Sequence, residues 1–359
     1  MAATDNDRFK KLLAEIRQKY TLQELRPILK DEELGTAPGW DQLGDRLTEG
    51  DPALRAKAEK VLKRLHGDLI LAGTKDVHIF DLPKDQASYI AAGLEKIEPS
   101  SPNYGEAYPL TLSETVLHSL PTDHELVAKV AHESGDISLI YCARRTVEEQ
   151  VRYDTNQVTA AVRDAFVGFD EFIAIRRMDY QIFDVLTVRP KLGRLEVLID
   201  YPDRIRLPES TEARCLTLLG RTMTLVPELQ TIYEQNEPLN LLACINNLYQ
   251  AKSEGRVSRL SFRSPTDSVK KESMTSHKDL RTEPFHAAGV TAVGDITPYD
   301  VTVAWEGFIN AKGAVSVRVG APISALSSAD AYVRTARISG ARSDASIAAV
   351  VNKLVSYST

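Results

Sequence analysis

Arg259 and Arg263 lie in the stretch GRVSRLSFR, where strand alternation puts Leu260 and Phe262 on one side and the two guanidiniums on the other. Arginines in a row on a rigid strand suit phosphate oxygens, and Ser258, Ser261, Ser264 and Thr266 add hydroxyl donors. Residues 252–281 hold Lys252, Arg256, Arg259, Arg263, Lys270, Lys271, Lys278 and Arg281 against only Glu254, Asp267, Glu272 and Asp279. A second basic stripe, Lys57, Lys60 and Arg64, recurs at helical spacing in ALRAKAEKVLKRLHGD. The candidate nucleic-acid-binding residues are therefore Arg256, Arg259, Arg263, Lys270 and Lys271, with Lys57, Lys60 and Arg64. The bland alternative is a solvated sheet face balanced by acids elsewhere.

Three other groups have residue types that do chemistry. Asp184, Glu196 and Asp200 fall on an expected hairpin and would offer oxygens to Mg²⁺ if they converged on one face. A nuclease of the Asp…Glu-x-Lys kind needs a lysine where this chain has Leu198, so metal-dependent cleavage of DNA or RNA is not expected. His118, His124 and His132, with Glu133, are six and eight residues apart, a spacing that does not bring imidazoles together as i and i+4 do. DLRTEPFHAAG crowds Asp279, Arg281, Glu283 and His286. With no nucleophile or glycine-rich phosphate cradle beside it, this segment reads as a loop stapled by an Asp–Arg pair rather than an acid–base site. No catalytic residue, metal ligand or cofactor is assigned.

Leu22, Leu25, Leu29, Leu34, Gly35, Gly39, Leu43, Arg46 and Leu47 set out a helix, a glycine-bearing turn and a second helix. In these positions residues 21–47 resemble the SAP motif, a helix pair that in its family binds DNA. The matching positions are core and turn residues, so the resemblance implies a hairpin of helices. Where the motif has a basic residue after its second glycine, this chain has Trp40 and Asp41.

The elements that position these residues follow from periodicity. Phe9, Leu12, Leu13, Ile16 and Tyr20 mark one face of a first helix, and Thr21 caps the second. Leu54, Ala58, Val61, Leu62 and Leu65 mark a further helix expected to end at Gly67, with strands LILAG and VHIFDL turning at Thr74–Asp76. DISLIYCA reads as a buried strand, Val158–Phe169 as a helix, and QIFDVLTVRP with RLEVLIDYP as a hairpin turning at Gly193. GRVSRLSFR, YDVTVAWEGF and AVSVRVG are strands, and a last helix capped by Ser343 carries Ile347, Val350, Val351 and Leu354. The fold class is α+β: a helical amino-terminal module (1–66), a mixed α/β domain with a β-hairpin (67–251), and a basic, β-rich carboxy-terminal domain closed by a helix (252–359).

The chain of 359 residues carries a net charge of −6, split as −10 before Lys252 and +4 from Lys252 onward. Cys142, Cys215 and Cys244 form no Cys-x-x-Cys pair, and no apolar run is long enough to span a bilayer. A cytoplasmic protein with no membrane partner is expected. Its expected function is that of a non-enzymatic, nucleic-acid-associated accessory subunit, most simply DNA-binding. The alternatives are a protein–protein interaction adaptor with a protein partner and, further off, a metal-dependent nuclease.

Overall fold

The computed structural model describes residues 5–202, 207, 209–235, 237–307 and 314–359. Four helices open the chain: α1 (Asp5–Lys19), α2 (Leu22–Asp31), α3 (Trp40–Glu49) and α4 (Pro52–Leu71). Thr21 caps α2 in a reciprocal capping box with Glu24, so two otherwise orphaned backbone donors are satisfied. Leu25, Leu29, Leu34, Leu43 and Leu47 are buried with Phe9, Leu12, Ile16 and Leu62 in one cluster, which gives the expected helix hairpin its core.

Gly67 does not end α4. The helix continues through Ile70 and Leu71, whose burial against the sheet outweighs the roughly 1 kcal/mol that a mid-helix glycine costs. It stops at Gly73, which takes a left-handed φ of 64°. The residues expected to turn, Thr74–Asp76, instead lie inside β1 (Gly73–Asp81).

After β1 come α5 (Lys84–Glu95), α6 (Glu114–His118), β2 (Glu125–Ala131) and β3 (Ile137–Asp154). Then follow α7 (Ala160–Ala165), β4 (Glu171–Arg189), β5 (Arg194–Asp200), α8 (Thr211–Met223), α9 (Gln230–Gln235) and α10 (Leu242–Gln250). The carboxy-terminal elements are β6 (Arg256–Arg263), β7 (Val269–Ser273), α11 (Pro284–Val293), β8 (Thr297–Glu306), β9 (Ala314–Gly320), β10 (Ala336–Ala341) and α12 (Asp344–Tyr357). The expected strand at YDVTVAWEGF falls on β8 as far as Glu306; Gly307 is a turn, and Phe308 lies outside the described residues.

The fold is α+β, built on one ten-stranded sheet in the order β2-β3-β4-β5-β1-β10-β9-β8-β6-β7, in which every pairing is antiparallel. The segments before and after Lys252 both contribute strands, and β1 joins them by pairing with β5 on one side and β10 on the other. One sheet face carries the largest apolar cluster, interrupted on β4 and β5 by the buried polar group of Arg189, Arg194 and Glu196. There α10 and α12 pack on Val257, Leu260, Val301, Val303, Val317 and Ile338. On the opposite face α5 and α8 cover only the amino-terminal half, over Leu139, Tyr141, Leu186, Leu195 and Val197.

Candidate nucleic-acid interface

The uncovered half of that second face is the candidate site, and strand register builds it. Arg259 pairs with Thr302, Thr302 with Arg318, Arg318 with Arg337, and Arg337 with Asp76, so these side chains form one row across five strands. A neighbouring row runs Lys271, Ser261, Asp300, Gly320. The inward residues between them, Val301, Val303, Val315, Val317 and Val319, are fully buried, which fixes the outward direction of Thr302 and Arg318. A bulge after Val257 turns both Val257 and Leu260 into the core and leaves Arg259 exposed.

Two of the arginines are held in place by carboxylates. Asp300 accepts from Arg318 Nε at 3.1 Å and also from Nη2, and Asp76 accepts from Arg337 Nε at 2.7 Å and Nη2 at 3.0 Å. The Arg318 hydrogen bonds to Asp300, although partly opposed by burial, raise its pKa further. Gly320 makes the first clamp possible, since a Cβ there would sit 2.7 Å from Asp300 Oδ2. Arg337 also stacks on Tyr201, its guanidinium carbon 3.2 Å from the ring centroid. Each guanidinium keeps N–H groups that the carboxylate does not use, pointing from a fixed frame.

The basic residues singled out from sequence divide among several settings. Arg259, Arg263 and Lys271 share the open face, with Arg263 3.8 Å from Asp267. Among the described residues Arg259 and Lys271 make no ion pair. Lys270 stands opposite Phe262 and so projects to the other face. Arg256 is tied to Glu306 at 3.3 Å. Lys57 and Arg64 of α4 turn to Glu33 and Glu32 in the acidic turn after α2, at 3.3 and 2.6 Å, and Lys60 is exposed beside them. Sequence reasoning missed Arg318 and Arg337. The valine alternation in AVSVRVG carried the signal for Arg318, but its partner Asp300 is visible only in register.

The hairpin carboxylates do not converge. Glu196 stands opposite Thr187, so Asp184, three residues away, projects from the other face. Asp184 is fully buried between His124 Nε2 at 2.8 Å and Arg214 Nη2 at 2.7 Å. Burial alone would raise its carboxyl, but Arg214 and His124 hold it down at about 2. Glu196 accepts from Arg194 at 2.8 Å and forms an ion pair with Arg189 at 2.9 Å, and Asp200 pairs with Lys75 at 3.2 Å. The three histidines also separate: His118 goes to Asp179, His124 to Asp184, and His132 to Ser138. Among the described residues no three His, Cys, Asp or Glu side chains gather to hold a metal ion.

The polar segment at Asp279–His286 is stapled internally. Arg281 pairs with Asp279 at 2.6 Å and donates to the carbonyls of Tyr249, Ala251, Glu254 and Gly255. His286 is buried with both ring nitrogens engaged, Nδ1 to Glu272 at 2.6 Å and Nε2 to the Tyr249 hydroxyl at 3.0 Å. Cys142, Cys215 and Cys244 are buried, and burial pushes all three thiols well above their ordinary range, away from nucleophilic use.

No helix among the described residues is long and apolar enough to cross a membrane. Compared with known proteins, the chain matches no family model, and no curated protein is significantly similar to it.

Proposed function

We propose that this protein is a non-enzymatic nucleic-acid-associated subunit that holds the phosphate backbone of DNA against the open half of its sheet. The observation that carries the reading is the cross-strand row Arg259, Arg318, Arg337, flanked by Lys271 and Arg263 on a face that no α-helix among the described residues covers. Carboxylate clamps on Arg318 and Arg337 order the guanidiniums before any ligand arrives, which lowers the entropy cost of contact. Ser316, Thr302 and Ser339, all partly exposed, supply hydroxyls between them.

Base stacking is not part of the proposal. Among the described residues no exposed aromatic side chain lies on β6, β8, β9 or β10, and the Tyr201 ring is already covered by Arg337. Single-strand readers rely on such rings, so a duplex backbone is the better match. Fluorescence anisotropy with unrelated duplexes tests the reading. Arg259→Ala with Arg263→Ala should weaken binding similarly for every sequence, and unchanged affinity at low salt would remove this face from consideration.

A further inference from the structure

β3 and β4 run far beyond the sheet that roots them. β3 has β2 beside it only as far as Cys142, and β4 has β5 beside it only from Val185 onward. From Arg144↔Gln181 out to Asp154↔Glu171 the two strands pair with each other alone, a ribbon roughly 30 Å long at about 3.3 Å per residue. Its distal part is apolar and open to water: Val167 is 83% exposed, Phe169 63%, Ile175 57% and Phe166 54%, with Val151, Tyr153 and Ile173 also exposed. None of these side chains belongs to a buried cluster. An isolated two-stranded ribbon is marginal in water, and an unpaired edge beside exposed apolar side chains is a template for another strand.

We propose that this arm joins two copies of the chain by antiparallel pairing of β4 with β4 about a two-fold axis through Ala174. That register is self-complementary. Ile173 of one protomer opposes Ile175 of the other, Phe172 opposes Arg176, and Glu171 opposes Arg177, each pair occurring twice by symmetry. Two marginal ribbons become one four-stranded sheet. One of its faces carries Tyr153, Phe172 and Val151, and the other Ile173 and Ile175. The ribbon's own charges already pair across its strands, Glu149 with Arg176, Glu148 with Arg177 and Arg152 with Glu171, so it offers no uncompensated basic surface. A second polypeptide suits that balance better than a polyanion.

The test uses the full chain in sedimentation velocity over a concentration series, together with single-cysteine cross-linking. The wild-type chain should show a mass that doubles with concentration. Ile173→Lys with Ile175→Lys should weaken association at least roughly tenfold while leaving unchanged the thermal melt taken at dilutions where the wild-type chain is monomeric. Ala174→Cys sits beside its own symmetry mate and should form an intermolecular disulfide on oxidation, the native thiols being buried, whereas Gln150→Cys on the β3 edge should not. A wild-type chain that stays monomeric to its solubility limit, or a cross-link through Gln150→Cys in place of Ala174→Cys, would overturn the proposal.

Discussion

The sheet face that bears the arginine row is two different surfaces on one backbone. In the half built from β3, β4, β5 and β1, outward positions hold Leu139, Tyr141, Leu186, Val188, Leu195 and Val197, and α5 and α8 bury them. In the half built from β10, β9, β8 and β6, the equivalent positions hold Arg337, Arg318, Ser316, Thr302 and Arg259. The strand geometry is the same, so side-chain chemistry decides which half a helix covers. A helix over the second half would have to desolvate several guanidiniums, a cost of several kcal/mol per ion that only excellent pairing offsets. What remains open is polar, preordered and shaped by the strands.

The contrast breaks most readily in the covered half. Leu186→Ala should cost about 2–5 kcal/mol in urea denaturation, because the site is fully buried between α5 and α8 and a cavity would remain. Arg259→Ala in the open half should change stability by no more than about 0.5 kcal/mol, because that side chain packs against nothing it would leave unpaired. Equal losses at the two sites would mean that the open face is itself buried by something in solution.

Acid should distinguish the halves next, because the strongly shifted groups lie under the helices. Burial holds His78 neutral with a pKa of about 4, below its ordinary 6.5, and Asp184 is held at about 2, below 3.8. In each case the unfolded chain binds the proton more tightly, so stability rises with pH. The His78 contribution is lost between pH 6.5 and 4, and that of Asp184 between about 4 and 2, a few kcal/mol in all. Urea midpoints at pH 7, 5 and 3 should fall in that order, and His78→Gln should flatten the first step. A flat profile from pH 7 to 4 in the native chain would show that His78 is not the buried neutral group described.

A smaller effect sharpens the role of the clamps. Asp300→Asn keeps the shape of the Arg318 partner but removes its charge, with stability expected to move by under about 1 kcal/mol since Arg318 is partly solvent-exposed. If Asp300 only neutralises the face, duplex affinity should rise. If it orders the guanidinium, the gain in charge is offset and affinity stays level or falls, as the proposed function requires.

Much of this architecture is legible in the sequence where burial enforces a period. The stripe of α1, the Thr21 N-cap, the Gly193 turn and the Ser343-capped α12 all fall where their patterns put them. Local pattern fails where a distant partner decides the outcome. Gly67 reads as a stop until Ile70 and Leu71 find the sheet, and the helical period at Val158–Phe169 yields only the short α7 because that stripe has nothing to pack on. The site follows the same division: β6 alternation exposes Arg259, whereas the row that joins it to Arg318 and Arg337 exists only once β8, β9 and β10 are in register.

The central claim is that the open half-face contacts phosphate, and its most direct measure is the salt dependence of duplex binding. Each neutralised phosphate releases counterions, so the logarithm of the binding constant falls linearly with the logarithm of salt concentration. Removing Arg259 and Arg263 together should make that slope shallower by about two, equally for unrelated sequences. A slope that does not change, with affinity lost or kept, would place the contact elsewhere on the protein and contradict the account.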